Sequence, residues 1–153
     1  MAPSLSGDAH AMQARRWVIL GCKRSAGAAL DELLAVGWQL PADVEWVTLP
    51  CGSAIDELHL LKAFEAGAER VLVLSCFEGA CRSLDGSAWV AKRVRAVAQT
   101  LTQVGIDPQR LQHHNLAPNM AADLRGWIEH LVSPATVAAT AAHPAAAPDG
   151  GEA

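Results

Sequence analysis

VEWVTLPCGSAIDELHLLKAFEAGAERVLVLSC, residues 44–76, reads as strand, helix, strand. Val44–Cys51 and Arg70–Cys76 are short apolar runs rich in β-branched residues. Between them Ile55, Leu58, Leu61 and Phe64 recur at helical spacing and stop near Gly67. Ser53, with Asp56 three positions later, resembles a capping arrangement for that helix. A strand, a helix and a second strand in this space predict a βαβ unit with parallel strands.

The same alternation extends both ways. WVILGC at 17–22 is a further apolar run, and RLQHHNLA at 110–117 is a weaker fourth. Leu30, Leu33 and Leu34 mark a first helix. Val90, Val94, Val97, Leu101 and Val104 share one face of a third helix, with Lys92, Arg93 and Gln99 on other faces, and Leu124, Trp127, Ile128 and Leu131 mark a last helix. The expected fold is a small three-layer α/β domain with a four-stranded, mainly parallel sheet. A flavodoxin-like strand order is the commonest choice for so short a chain.

The chain has 153 residues, of which 51% are hydrophobic, enough for one domain with a real core. Residues 15–132 are expected to form it. Residues 1–14 show no period and 133–153 are an Ala/Pro/Gly tract, so both are expected to be flexible tails. A net charge of -4 without a Lys/Arg stripe argues against nucleic acid as a partner. RRWVILGC at 15–22 has too short an apolar run for a signal sequence, and no span approaches the ~20 apolar residues of a membrane helix. The expected location is the cytoplasm, with no membrane partner. In that reducing setting, four cysteines point to metal binding or redox chemistry rather than to structural disulfides.

Cys22, Cys51 and Cys76 each follow an apolar run directly, so each is expected at the carboxyl end of a parallel strand, the edge at which such sheets bind ligands. Cys81 follows Cys76 after a four-residue loop. A four-thiolate set suits a tetrahedral zinc or the irons of a cluster. A dithiol of Cys76 and Cys81 is a further reading, though it leaves Cys22 and Cys51 without a role. Gly52 and Gly79 read as glycines for close backbone approach or positive φ, or as ordinary turn glycines. Lys23, Arg24 and Arg82 read as solvated surface charge. His59, His113 and His114 read as exposed or hydrogen-bonded rather than ligating, and the five tryptophans as core or interface residues. No Gly-rich phosphate loop and no Ser-His-Asp set appears, so independent catalysis is not expected.

The stretch from Leu49 to Cys81, with Asp85-Gly86, Ala91-Lys92-Arg93 and GIDPQRL at 105–111, resembles the iron–sulfur delta subunit of the methyl-viologen-reducing, F420-non-reducing hydrogenases. The resemblance implies one [2Fe–2S] cluster on Cys22, Cys51, Cys76 and Cys81. It also implies a relay of electrons from a hydrogenase or formate dehydrogenase subunit to a flavin-containing heterodisulfide-reductase-like partner. A zinc-binding or cluster-less scaffold subunit of the same kind of complex is the alternative. The family pattern has C-x-x-C after the first strand, whereas here Ser25 stands three residues after Cys22.

Overall fold

The computed structural model describes residues 16–134. Strands β1 (Arg16–Cys22), β2 (Val44–Leu49), β3 (Ala68–Ser75) and β4 (Leu111–Asn115) form one sheet in the order β2-β1-β3-β4. Every neighbouring pair is parallel. These are the first four strands of the flavodoxin-like order, so that expectation holds. Helices α1 (Ala28–Ala35), α2 (Glu57–Glu65), α3 (Gly86–Gln103) and α4 (Ala121–Leu131) lie on the two faces.

The two-residue period of the strands sorts the core. Trp17, Ile19, Leu72 and Leu74 pack with Leu30 and Leu33 of α1 and with Leu124, Ile128 and Leu131 of α4. Their alternates Val18, Leu20, Val71 and Val73 pack with Leu60 of α2 and with Val90, Val94, Val97 and Leu101 of α3. Central strands covered on both sides need continuous apolar runs, as Trp17–Leu20 of β1 and Val71–Leu74 of β3 provide. Trp17 is buried, Trp38, Trp46 and Trp127 pack half-buried against the α1/α4 side, and Trp89 is exposed.

Several boundaries differ from expectation. β2 ends at Leu49, since Pro50 has no N–H to continue a ladder. The N-cap of α2 is Asp56, not Ser53, because Gly52–Ala54 close a separate 3₁₀ turn. Asp56 Oδ1 accepts from His59 N at 2.8 Å, and His59 Nδ1 accepts from Asp56 N at 3.2 Å. Within this helix Leu60 is fully buried while Leu58 is 56% exposed, so the buried face differs from the expected stripe. Val104 lies past the end of α3 and is exposed as well. The expected tails, 1–14 and all but the first two residues of 133–153, lie outside the described residues.

An Asp56→Ala protein is expected to lose about 1 kcal/mol of folding stability, through loss of the cap. A lower urea midpoint at unchanged m-value would show it.

Candidate metal centre

The strand order decides which thiols meet. Cys22 is the last residue of β1 and Cys76 the first after β3, and these strands are neighbours. Their sulfurs are 3.6 Å apart. Cys51 lies two residues past β2, on the far side of β1, and Cys81 on the loop before α3 reaches it, with 3.9 Å between sulfurs. All four are free thiols at the carboxyl edge of the sheet. Cys76 and Cys81, considered as a dithiol from their spacing, each lie against a cysteine from another strand end. Among the described residues, no three His, Cys, Asp or Glu side chains form a ligand group for a single ion.

The sulfur spacings carry chemical meaning. A tetrahedral ion with metal–sulfur bonds of about 2.3 Å holds its sulfurs about 3.8 Å apart. Each pair has the spacing that two thiolate ligands on one ion would have, which is also that of two sulfurs in contact.

The surrounding backbone is shaped to these thiols. Gly86 opens α3 under the second pair: a Cβ there would lie 3.0 Å from Cys81 Sγ and 3.1 Å from Cys51 Sγ. Gly52 serves close approach rather than positive φ, since its Cβ would lie 3.1 Å from Val90 and 3.3 Å from Ser75. Gly79 has φ +80°, the left-handed conformation that turns the loop between Cys76 and Cys81. Arg93 of α3 donates to the carbonyls of Ser53 and Ile55 at 2.7 and 2.8 Å, fixing the segment after Cys51. Ser87, next to Gly86, has a hydroxyl that is buried without a hydrogen-bond partner.

The two pairs differ electrostatically. Burial pushes the Cys51 thiol up, but hydrogen bonds with the side chains of Ser53 and Ser83 and with the Ser53 backbone outweigh it and bring it down to about 7. Burial raises Cys76, and a hydrogen bond with Ser25 only partly offsets this. Lys23, Arg24 and Arg82 are exposed, as expected. Arg24, Ser25, Cys76, Phe77, Arg82 and Leu116 are among the residues lining a cavity of about 420 Å³ beside the first pair.

Sequence spacing gave no sign of the support behind Cys76. Register between β3 and β4 sets Ser75 opposite Asn115. Asn115 Nδ2 donates to the Cys76 carbonyl at 2.7 Å and to Ser75 Oγ at 3.2 Å, and Ser75 Oγ lies 2.8 Å from His113 Nε2. His113 thus stands one residue from a thiol, although no cysteine lies near it in sequence. His114 stacks on Trp127 with centroids 4.5 Å apart, and His59 caps α2. His59 and His113 have the exposed or hydrogen-bonded roles expected of them, whereas the stacking of His114 was not expected.

Burial holds His113 below its ordinary value of 6.5, aided by the charge of His114, and burial lowers His114 too. The folded protein favours the neutral rings, so below pH ~6.5 unfolding takes up protons. Stability is full above that pH and falls as pH drops, by at most about 1.4 kcal/mol per pH unit per proton. Urea midpoints of metal-free protein between pH 7.5 and 5 should decline, and decline less steeply in His113→Gln.

Three kinds of relative match this chain. The family described as methyl-viologen-reducing hydrogenase, delta subunit, matches residues 18–135. An iron–sulfur subunit of the F420-non-reducing hydrogenase vhu from Methanopyrus kandleri is 31% identical over 96 residues, 62% of this chain and 73% of that protein. The protein of the same name from Methanocaldococcus jannaschii is 37% identical over 90 residues, 59% of this chain and 67% of that one. A ferredoxin:CoB-CoM heterodisulfide reductase subunit from Methanosarcina mazei is 25% identical over 112 residues, 73% of this chain but 14% of the longer protein.

Proposed function

Since the chain belongs to the methyl-viologen-reducing hydrogenase delta subunit family, we propose that it is an electron-transfer subunit carrying one [2Fe–2S] cluster on Cys22, Cys51, Cys76 and Cys81. The observation that carries this reading is the division of the thiols into two pairs, 3.6 and 3.9 Å apart. A binuclear cluster requires two thiolates for each of two irons. A single structural zinc would instead draw all four thiolates around one ion. The chemistry of the donors agrees: four soft sulfur ligands, one of them with a pKa near neutrality, and a glycine under the second pair that leaves room above it. When bound, such a cluster supplies one-electron transfer. The chain's part is to hold the thiolates at fixed spacing, shield the first pair from water through burial of Cys22, and tie the Cys76 backbone to β4 through Asn115.

The relatives support a hydrogenase–heterodisulfide-reductase type of complex. Two are named as hydrogenase subunits, which supports a hydrogenase-type electron donor; a formate dehydrogenase module is the other donor we include. A segment related to this chain occurs within the much longer heterodisulfide reductase polypeptide, which supports a heterodisulfide-reductase-like acceptor; that this acceptor contains flavin is our proposal. No helix among the described residues is long and apolar enough to cross a membrane, and we assign the subunit to the cytoplasm, where its free thiols stay reduced.

Purification without oxygen, followed by iron, acid-labile sulfide and zinc analysis and a visible spectrum, tests the proposal. About two irons and two sulfides per chain, with thiolate-to-iron absorbance, are expected. A colourless protein with one zinc, or one without metal, would replace this reading with a scaffold subunit.

A further inference from the structure

We propose that Ser25 tunes the redox centre, raising its reduction potential through a hydrogen bond from its hydroxyl to the sulfur of Cys76. This rests on the electron-carrier reading above. Ser25 lies in the wide π-type turn Lys23–Gly27 that follows Cys22 at the end of β1. The turn carries its side chain to the neighbouring strand end, where Oγ is 3.5 Å from Cys76 Sγ.

As free thiol, Cys76 is the donor in this contact. As metal-bound thiolate it has no proton, so the hydroxyl must become the donor. Ser25 and Cys22 are each 1% exposed, so the hydroxyl itself is closed off from bulk solvent, while Cys76 borders the cavity beside the pair. Reduction adds one electron and no proton, and part of the added negative charge resides on the thiolates. A donor aimed at one of those sulfurs stabilises the reduced state more than the oxidised one. The low local dielectric enlarges the difference.

The side chain of Ser25 is well placed for this role and poorly placed for another. Its backbone carbonyl accepts from Ala28 N and so belongs to the turn, while the hydroxyl is directed away from bulk solvent toward the thiol pair. A serine serving only the turn would tolerate alanine with no change in the redox equilibrium, because its turn contact is made by the backbone carbonyl.

The experiment is a dithionite titration of anaerobically purified wild type, Ser25→Ala, and the near-isosteric pair Ser25→Thr and Ser25→Val. It is followed by electron paramagnetic resonance, with iron and sulfide measured for each protein. Ser25→Ala is expected to keep its iron and to show about a tenfold lower ratio of reduced to oxidised centre at a given ambient potential, about 59 mV for one electron. Ser25→Thr should remain near wild type, and Ser25→Val should fall with the alanine variant. A Ser25→Ala protein that is fully loaded and titrates at the wild-type potential overturns the assignment. Should the alanine variant lose its iron, the other pair decides: a lower potential in Val than in Thr supports the hydroxyl, and equal potentials overturn it. A wild type without an iron–sulfur signal overturns the electron-carrier reading itself, and the tuning role with it.

Discussion

Cys81→Ser protein purified without oxygen is expected to lose most of its iron and its visible absorbance. Cys81 is half of one thiol pair, 3.9 Å from Cys51, and the described residues offer no third ligand to take its place. Loss of a partner that merely orients a ligand costs about 10–100-fold in metal affinity, and loss of the ligand itself costs at least as much. Cys51→Ser should resemble Cys81→Ser, and the double variant should be little worse than either, because the two thiols serve one half-site. His59→Ala should keep its iron, since His59 caps α2 and is exposed. Iron analysis of the four proteins checks the whole set, and a fully loaded Cys81→Ser protein would remove that residue from the ligand set.

Gly86→Ala is expected to lower iron content sharply, against the usual effect of this substitution. Alanine replacing glycine in a helix ordinarily stabilises by up to about 1 kcal/mol. At Gly86 the added carbon would sit 3.0 and 3.1 Å from two sulfurs. In metal-free protein those thiols are free to swing aside. Once they are fixed by metal, the methyl group has nowhere to go, and overpacking of this kind costs about 1–3 kcal/mol. The cost should therefore appear in the loaded protein and largely vanish in the metal-free one. Gly126 in α4 is the control: no atom lies within 4 Å of its Cβ position, so Gly126→Ala should give the ordinary gain. Thermal melts of both variants, with and without metal, separate the two effects.

These outcomes mark what the sequence conveyed and what it did not. β1 and β3 were legible because they are covered on both faces, and so carry apolar runs at Trp17–Leu20 and Val71–Leu74. The thiol positions followed, since the apolar runs stop at or just before Cys22, Cys51 and Cys76. The pairing was not legible. Cys76 and Cys81 are nearest in sequence, yet Cys76 faces Cys22 because β3 lies beside β1, and the loop through Gly79 carries Cys81 to Cys51. Spacing along a chain does not encode which strands become neighbours. For the same reason the links from Ser25 and Asn115 to Cys76 were invisible until β1, β3 and β4 had been set side by side. Gly86 was noted only within a stretch of resemblance; nothing in its surroundings along the chain marks it as the floor of a thiol pair. The start of α2 failed on a local competition, in which Asp56 and His59 close a better box than Ser53 and Asp56.

The two thiol pairs interleave: one joins residues 22 and 76, the other 51 and 81, so each closes a loop that contains one member of the other. A chain emerging from the ribosome, which forms structure from its amino end first, holds no complete pair until residue 76 is out. By then β1, β2 and β3 have all been made, and only five more residues separate the first pair from the second. On the proposed reading, metal would therefore meet an edge whose three cysteine-bearing strands are already made and which lacks only β4.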